Sequence, residues 1–469
     1  MERSWRRGAA LCLLAGLAAT GCAREADHDP LSAGGGGIAP DEHGGPVPAD
    51  DPNAVALQAV EDVARYWART YPDVYGGDFE PLQGGAHPYG PDTPAPSCGP
   101  VEVSYEDIAN NAFYCPEGDF VAWDSFSLIP EINEQFGAFT IGIVFAHEMG
   151  HAIQARAGVT GPTIELELQA DCFAGAWTGD VAAGGSDAFT VDAVALDASL
   201  GGMVSISDAP GTAAEDPLAH GSGFDRIGAF QDGFENGPAR CADYPNVELP
   251  VVEMPFREGQ ELDTGGNLPL DDSGSDPEGD GLLSLLDVDL NEFYGLLFGQ
   301  IGHTFTPVDG LTQVDPAADE VTCGGETLGG GALEYAALYC ADENVVVVDR
   351  PGLVEDLYTV SGDFAVAAEI ARLWAQAAQD QLGVPAGDQA DLQADCLTGV
   401  WALSSFETPE FQPSNLVMSP GDLDEGIIGF LYAGSGTDAG GNTAFERTDA
   451  LRTGFLGGYD ACERFAPLG

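Results

Sequence analysis

His147, Glu148 and His151 stand in the pattern HExxH within AHEMGHAIQ, and Glu167 and Asp171 follow in the pattern ExxxD within ELQADCFAGAW. On a helix, His147 and His151 fall one turn apart on the same face, so two imidazoles can reach one metal ion. Glu148 beside them can polarise a metal-bound water, which is the chemistry of a zinc hydrolase. HExxH alone recurs by chance in many chains. The second motif supplies what it lacks. Glu167 offers a third ligand and leaves a fourth position for water, while Asp171, one turn on, can accept a hydrogen bond from a ligating histidine and fix its tautomer. Glu165 competes for the third place, but only Glu167 has the one-turn spacing to Asp171. A metzincin pattern is excluded, because its glycine and third histidine would fall at Gln154 and Ala157.

These residues need two helices to carry them. The almost wholly apolar run from Phe139 to Ala146 predicts a buried helix over Phe139 to Ala157, and buried histidine and glutamate require partners. A second helix is predicted over Thr163 to Gly179. Upstream, the apolar spacing of VEDVARYWARTY predicts a helix over Val60 to Tyr71 that Pro72 stops. NAFYCPEGDFVAWD, with its turn at Pro116-Glu117-Gly118, reads as a hairpin, and Leu128 to Phe136 as a short helix. A loop-rich part follows Gly179, and the middle of HGSGFDRIGAFQDGFENGPARCADY reads as an amphipathic helix.

The chain has 469 residues, enough for two or three domains. Seventy-seven acidic residues against 15 basic ones give a net charge of −62, and lysine is absent. Such a surface repels nucleic acid and anionic headgroups, so neither is an expected partner. Arg3, Arg6 and Arg7 precede an apolar run too short to span a bilayer, ending in Ala19-Thr20-Gly21-Cys22. This resembles a bacterial lipoprotein signal over 1–22, with Cys22 as the lipid-bearing residue; ordinary secretion is the alternative. The expected location is therefore the outer face of a bacterial membrane, with membrane contact only through the lipid. Residues 23–53 read as a Gly/Pro/Asp-rich tether.

The sequence also repeats itself. NAFYCPEGDFVAWD matches ALYCADENVVVVD, ELQADCFAGAW matches DLQADCLTGVW, and FDRIGAFQDGFENGPARC matches FERTDALRTGFLGGYDAC. We therefore expect a first domain over 54–250, an acidic linker over 251–282 and a second copy over 283–469. The repeat also selects disulfides among the eight remaining cysteines. Cys98–Cys115 and Cys323–Cys340 have matching separations, and Cys172–Cys241 and Cys396–Cys462 nearly so. In the chain-entropy model each contributes about 3–4 kcal/mol. A metal-ligand role for the QADC cysteines is disfavoured, since Cys172 points to another side of its helix than Glu167.

Taken together, FYCPEGDFVAWD, AHEMGHAIQ, ELQADCFAGAW and the later HG with its following arginine and GFENG resemble the bacterial neutral zinc metallopeptidase family, gluzincin-like in pairing HExxH with ExxxD. The resemblance covers most of Val60 to Tyr244. It implies a mainly helical α+β, zincin-like fold with a small β element, one zinc ion per chain and endopeptidase activity on peptide or protein substrates. The motif order is also similar to that of the CAAX-prenyl-protease and heat-shock membrane peptidase group, in which a His-Pro pair followed by arginine lies near the site. His220 and Arg226 hold similar positions here, with Gly221 in place of the proline. His220 is thus either a group for the developing oxyanion or a surface-loop histidine.

The second copy departs at the chemistry. Counting back from QADC puts Ala371, Arg372 and Ala375 at the places of His147, Glu148 and His151; a one-residue gap puts Arg372, Leu373 and Gln376 there. Asp391 replaces Glu167 and Gly441 replaces His220. The expectation is one live and one catalytically inactive domain, with a surface binding protein built of two peptidase-like folds as the alternative. The oligomeric state is not legible in the sequence.

Overall fold

The computed structural model describes residues 51–467 apart from 101–102, 214–218, 255, 257–265, 275–279, 407–415, 417 and 435–440. The export signal with Cys22, the tether as far as residue 50 and parts of the acidic linker lie outside the described residues. Among those described, the chain is mainly helical with small sheets.

Helix α1 spans Pro52–Val74. It starts earlier than apolar spacing indicates, because the Asp51 side chain accepts the Ala54 N–H and Pro52 opens the first turn. Pro72 does not stop it. The proline sits in the last turn, where it forfeits a hydrogen bond at a helix end and not in the interior. Strand β1 (Gly85–Tyr89) and helix α2 (Tyr105–Ile108) precede the expected hairpin of β2 (Ala112–Cys115) and β3 (Phe120–Asp124). The sheet order is β1-β3-β2, with β1 parallel to β3 and β2 an antiparallel edge. Next come α3 (Leu128–Phe136), α4 (Ala138–Ala157) and α5 (Thr163–Ala182). The stretch read as loop-rich contains α6 (Ala193–Ser205), whose Gly201-Gly202 pair weakens the helical signal. Gly202 instead allows Thr140 and Phe136 to pack against bare backbone. Helices α7 (Gly223–Asn236) and α8 (Pro238–Ala242) complete this part.

A similar order follows downstream, with a hairpin in the place of α2. Helix α9 (Leu282–Gln300) is followed by β4 (Leu311–Val314), the hairpin β5 (Glu320–Cys323) and β6 (Glu326–Gly329), then β7 (Ala337–Cys340) and β8 (Val345–Asp349). The larger sheet runs β4-β8-β7, again with one parallel and one antiparallel pairing. Helices α10 (Glu355–Val360), α11 (Asp363–Leu382), α12 (Asp388–Phe406), α13 (Asp422–Gly434) and α14 (Ala444–Gly457) follow. Both 20-residue helices α4 and α11 end on a left-handed glycine, Gly158 and Gly383. Aligning those ends places Arg372, Leu373 and Gln376 opposite His147, Glu148 and His151. Phe139 stacks on Trp177, whose indole donates to Asp62, and Phe364 stacks on Trp401, whose indole donates to Asp289. Disulfides join Cys98–Cys115, Cys172–Cys241, Cys323–Cys340 and Cys396–Cys462.

The two parts share one continuous buried core. Their contact is reciprocal. Asp424 of α13 accepts the N–H groups of Gly223 and Phe224 at the start of α7, and Asp197 of α6 accepts those of Ala444 and Phe445 at the start of α14. Gln231 likewise donates to the Phe445 carbonyl, and Arg452 to that of Phe224. Phe224 meets Phe455 edge-on, and Phe234 meets Phe445.

Asp363, Asp422 and Glu425 gather where α11 and α13 begin. Burial lifts all three carboxyls above the usual range, Asp422 and Glu425 well above it because their neighbours also repel them. Groups raised in the folded state bind protons that the unfolded chain has released, so they lower stability as pH rises through the raised values. Glu425→Gln keeps an acceptor for the Phe364 N–H and removes one titrating group. Its melting temperature should fall less than the wild type's between about pH 5 and 8; parallel curves in a thermal melt would contradict this.

Candidate metal centre

The site forms where α4 and α5 cross at close range. A Cβ on Gly150 would lie 2.9 Å from the Ala170 Cα, so glycine between the two histidines lets α5 lie against the α4 backbone. Ala170 stands between Glu167 and Asp171, and the contact therefore brings HExxH and ExxxD together. On the other side of α5, Gly175 and Gly233 allow α7 to approach the same way, each facing a backbone carbonyl of the opposite helix.

His147 Nε2 and His151 Nε2 lie 3.2 Å apart, and the Glu167 carboxylate sits 3.2 Å from the first and 3.5 Å from the second. The other ring nitrogens are occupied. His147 Nδ1 is 2.7 Å from Asp171 Oδ1, and His151 Nδ1 is 2.9 Å from Gln154 Oε1. With Nδ1–H donating in each ring, both Nε2 atoms present lone pairs to the same point. Neither Glu167 oxygen has a hydrogen-bond donor, although the residue is fully buried. Three acceptors turned on one another repel, unless a cation lies among them. Zinc bound at about 2.0–2.1 Å in tetrahedral geometry separates its ligand atoms by roughly 3.3 Å. The residues present fit that ion.

The surrounding groups hold these side chains in place. Arg226 presents its fork to Asp171, Nε to Oδ2 at 2.8 Å and a terminal nitrogen to Oδ1 at 3.0 Å, and its other terminal nitrogen donates to the Ile206 carbonyl. Gln154 donates to the Leu166 carbonyl at 2.6 Å, which fixes the amide that His151 uses. Glu148 Oε2 accepts the Tyr114 N–H at 2.8 Å, so the edge strand β2 orients this carboxylate. Without a metal, burial works against a charged His147, yet the carboxylates of Asp171 and Glu167 outweigh it and push the imidazole up to about 10, so that a proton stands where the ion would. Burial lifts the Glu148 carboxyl above its usual value. For Glu167 and Asp171 burial is overcome by the nearby imidazoles and, at Asp171, first by Arg226; both are lowered.

His147, Glu148, Asp171, His220 and Arg226 face one cleft of roughly 670 Å³. His220 is buried, not a surface-loop residue, and Asp208 secures it by accepting its backbone N–H and that of Gly221. Glu165 stays apart, half-buried in the first turn of α5. Cys172 is tied to Cys241 and joins no cluster with the ligands. Sequence reasoning missed the Tyr114 N–H and Asp208, because a backbone donor and a loop carboxylate leave no motif. Gln154, three residues after His151, was legible as a residue but not as a partner.

In the second part, Arg372 occupies the corresponding place. Its guanidinium reaches Asp391 at 2.9 Å and Asp395 at 3.2 Å, while Arg447 pairs with Asp395 and Glu369.

Residues 161–244 match the family described as "Putative neutral zinc metallopeptidase". The match takes in Glu167, Asp171, His220 and Arg226 and begins after His151. The chain is similar to the uncharacterized protein YpfJ of Escherichia coli K12, 30% identical over 155 residues that cover 28% of this chain and 52% of that protein. It is also similar to the uncharacterized protein Rv2575 of Mycobacterium tuberculosis, 28% identical over 179 residues that cover 32% and 59% respectively. The chain thus spans only about half the length of the curated relatives it matches. No solved structure matches it.

Asp171→Asn removes the charge that orients His147 and should weaken zinc binding about 10–100-fold. Glu165→Gln should leave it unchanged. Chelator competition measures both, and equal affinities would remove Asp171 from this role.

Proposed function

We propose that this chain is a zinc-dependent endopeptidase with one metal site, in its first part, and that the second part is a duplicated copy which keeps the frame without the chemistry. The observation that carries the reading is the spacing of 3.2–3.5 Å among the two Nε2 atoms and the Glu167 carboxylate, with every Nδ1 already engaged. His147, His151 and Glu167 are the ligands in this reading. Bound zinc supplies a Lewis acid for the scissile carbonyl and for water.

The chain's own residues do the rest. Glu148, its carboxyl raised by burial and oriented through Oε2, takes a proton from water at the cleft and passes it to the leaving amine. Asp171 and Arg226 hold the His147 ring against rotation as charge develops. His220, fixed through Asp208, is the candidate donor to the oxyanion of the substrate carbonyl. Leu128, Ile132, Ile143 and Met203 make much of the remaining wall, which suits an apolar substrate side chain beside the scissile bond.

Loss of the second site has a physical account in this reading. Arg372 supplies permanently the positive charge that Asp391 and Asp395 need, and neither Leu373 nor Gln376 can serve as base or imidazole ligand. Four disulfides suit an exported protein, and no described helix is long and apolar enough to cross a membrane. Lipid attachment at Cys22 remains part of the proposal.

Glu148→Gln should retain one zinc per chain while peptide cleavage falls by about 10²–10⁴-fold. Metal analysis and a peptide-library digest beside a chelated control read both. Zinc-free wild-type protein would favour the binding-protein alternative, and full activity in the variant would remove Glu148 as base.

A further inference from the structure

We infer that Asp424, in the part that lacks HExxH, is a positioning residue for the site in the other part. The inference rests on the zinc reading above and concerns how the ligands are held. Asp424 Oδ2 accepts the Gly223 N–H at 2.9 Å and Oδ1 accepts the Phe224 N–H at 2.7 Å. These are the first two residues of α7, whose opening N–H groups have no partner within the helix. Ser222 caps the same turn from within its own chain segment by accepting the Asp225 N–H, so Asp424 serves donors that Ser222 leaves.

That turn bears on the site from both directions. It ends in Arg226, whose guanidinium grips both oxygens of Asp171, and Asp171 in turn bonds His147 Nδ1. Gly221 and Ser222 join it to His220, which lines the cleft. Displacing the start of α7 therefore shifts the Arg226 fork and the His220 loop together. The fit leaves little room for slack: a Cβ on Gly223 would come within 3.1 Å of Asp424 Cγ and of a Val204 methyl. Ligand orientation thus runs from Asp424 through α7, Arg226 and Asp171 to His147.

The bland reading is that Asp424 merely glues two halves together. The molecule contains the control that separates the two. Asp197 makes the same pair of bonds in the reverse direction, to Ala444 and Phe445 at 3.0 and 2.9 Å, at the start of α14. Helix α14 carries Arg447, which pairs with Asp395 and Glu369, where Arg372 stands in place of an imidazole ligand. Breaking either contact removes an equivalent cap from an equivalent helix. Only α7 carries a side chain, Arg226, that grips the carboxylate bonded to a proposed metal ligand.

The test uses the full chain as wild type, Asp424→Ala and Asp197→Ala, each measured for melting temperature, zinc affinity by chelator competition, and kcat and KM on one peptide. Both variants should melt a few degrees lower by similar amounts. Asp424→Ala alone should bind zinc about tenfold more weakly and lose kcat with KM little changed. Asp424→Asn, which keeps one acceptor, should recover part of that loss; if the alanine variants do not fold, Asp424→Asn against Asp197→Asn carries the comparison. Matching zinc affinity and kcat in the two variants, with zinc-binding wild type, would overturn this inference alone. Wild type that takes up no zinc would overturn the metallopeptidase reading and this inference with it.

Discussion

The close contact of α4 and α5 at Gly150 and Ala170 is the constraint on which the site depends. Helices of ordinary bulk pack 8–10 Å apart between axes, a distance set by the side chains at the crossing. Here the crossing residue has no side chain, and the flanking positions are the ones that carry imidazoles and carboxylates. The same contact that packs the core therefore presses His147, His151, Glu167 and Asp171 into mutual reach. A buried group of this kind costs free energy unless every polar atom finds a partner. Asp171 finds two, Arg226 and His147; Glu167 finds only the Nε2 atoms of rings whose Nδ1 atoms are engaged elsewhere.

That imbalance gives the two parts of the chain a common physical problem with two outcomes. Both place carboxylates on the second helix of a buried crossing, at Glu167 and Asp171 and at Asp391 and Asp395. Each pair needs positive charge. In the second part Arg372 and Arg447 provide it from within the chain, and the crossing is complete as folded. In the first part Arg226 satisfies Asp171 alone, and the proposed zinc ion completes the rest. In the proposed reading folding uses either cation, and the histidine ligands and the Glu148 base then answer to chemistry and not to architecture.

The parts are not independent beads on a linker. Their buried residues form one core, and each caps a helix of the other through a carboxylate. Such a reciprocal contact follows when two similar surfaces meet face to face, because whatever one offers the other also offers. Much of the strong negative charge lies elsewhere, on the outer surface. Where carboxylates do gather inside, at Asp363, Asp422 and Glu425, burial holds them towards the protonated form.

The sequence by itself determined which residues could bind a metal, because HExxH and ExxxD encode one-turn spacings that any helix must honour. It also determined the hairpin ahead of them, the partners of all eight body cysteines and the positions at which the second part lacks those donors, since matching separations and matching motifs are one-dimensional facts. It placed α3, α4 and α5 almost to the residue, where apolar periodicity is strong, and failed at α1 and α6. There Pro72 read as a stop and the stretch after Gly179 as loop-rich, yet a helix end absorbs the proline and a neighbouring side chain packs on the Gly202 backbone. Only the tertiary structure decided that β1 joins the sheet in parallel, that Tyr114 orients Glu148 through a backbone N–H and that Asp208 secures His220. Those contacts join residues far apart in the chain through backbone groups that every residue type possesses. For the same reason the reach of Asp424 across the interface to α7 had no counterpart in the motif from Ala146 to Trp177, which names the ligands but not what holds them.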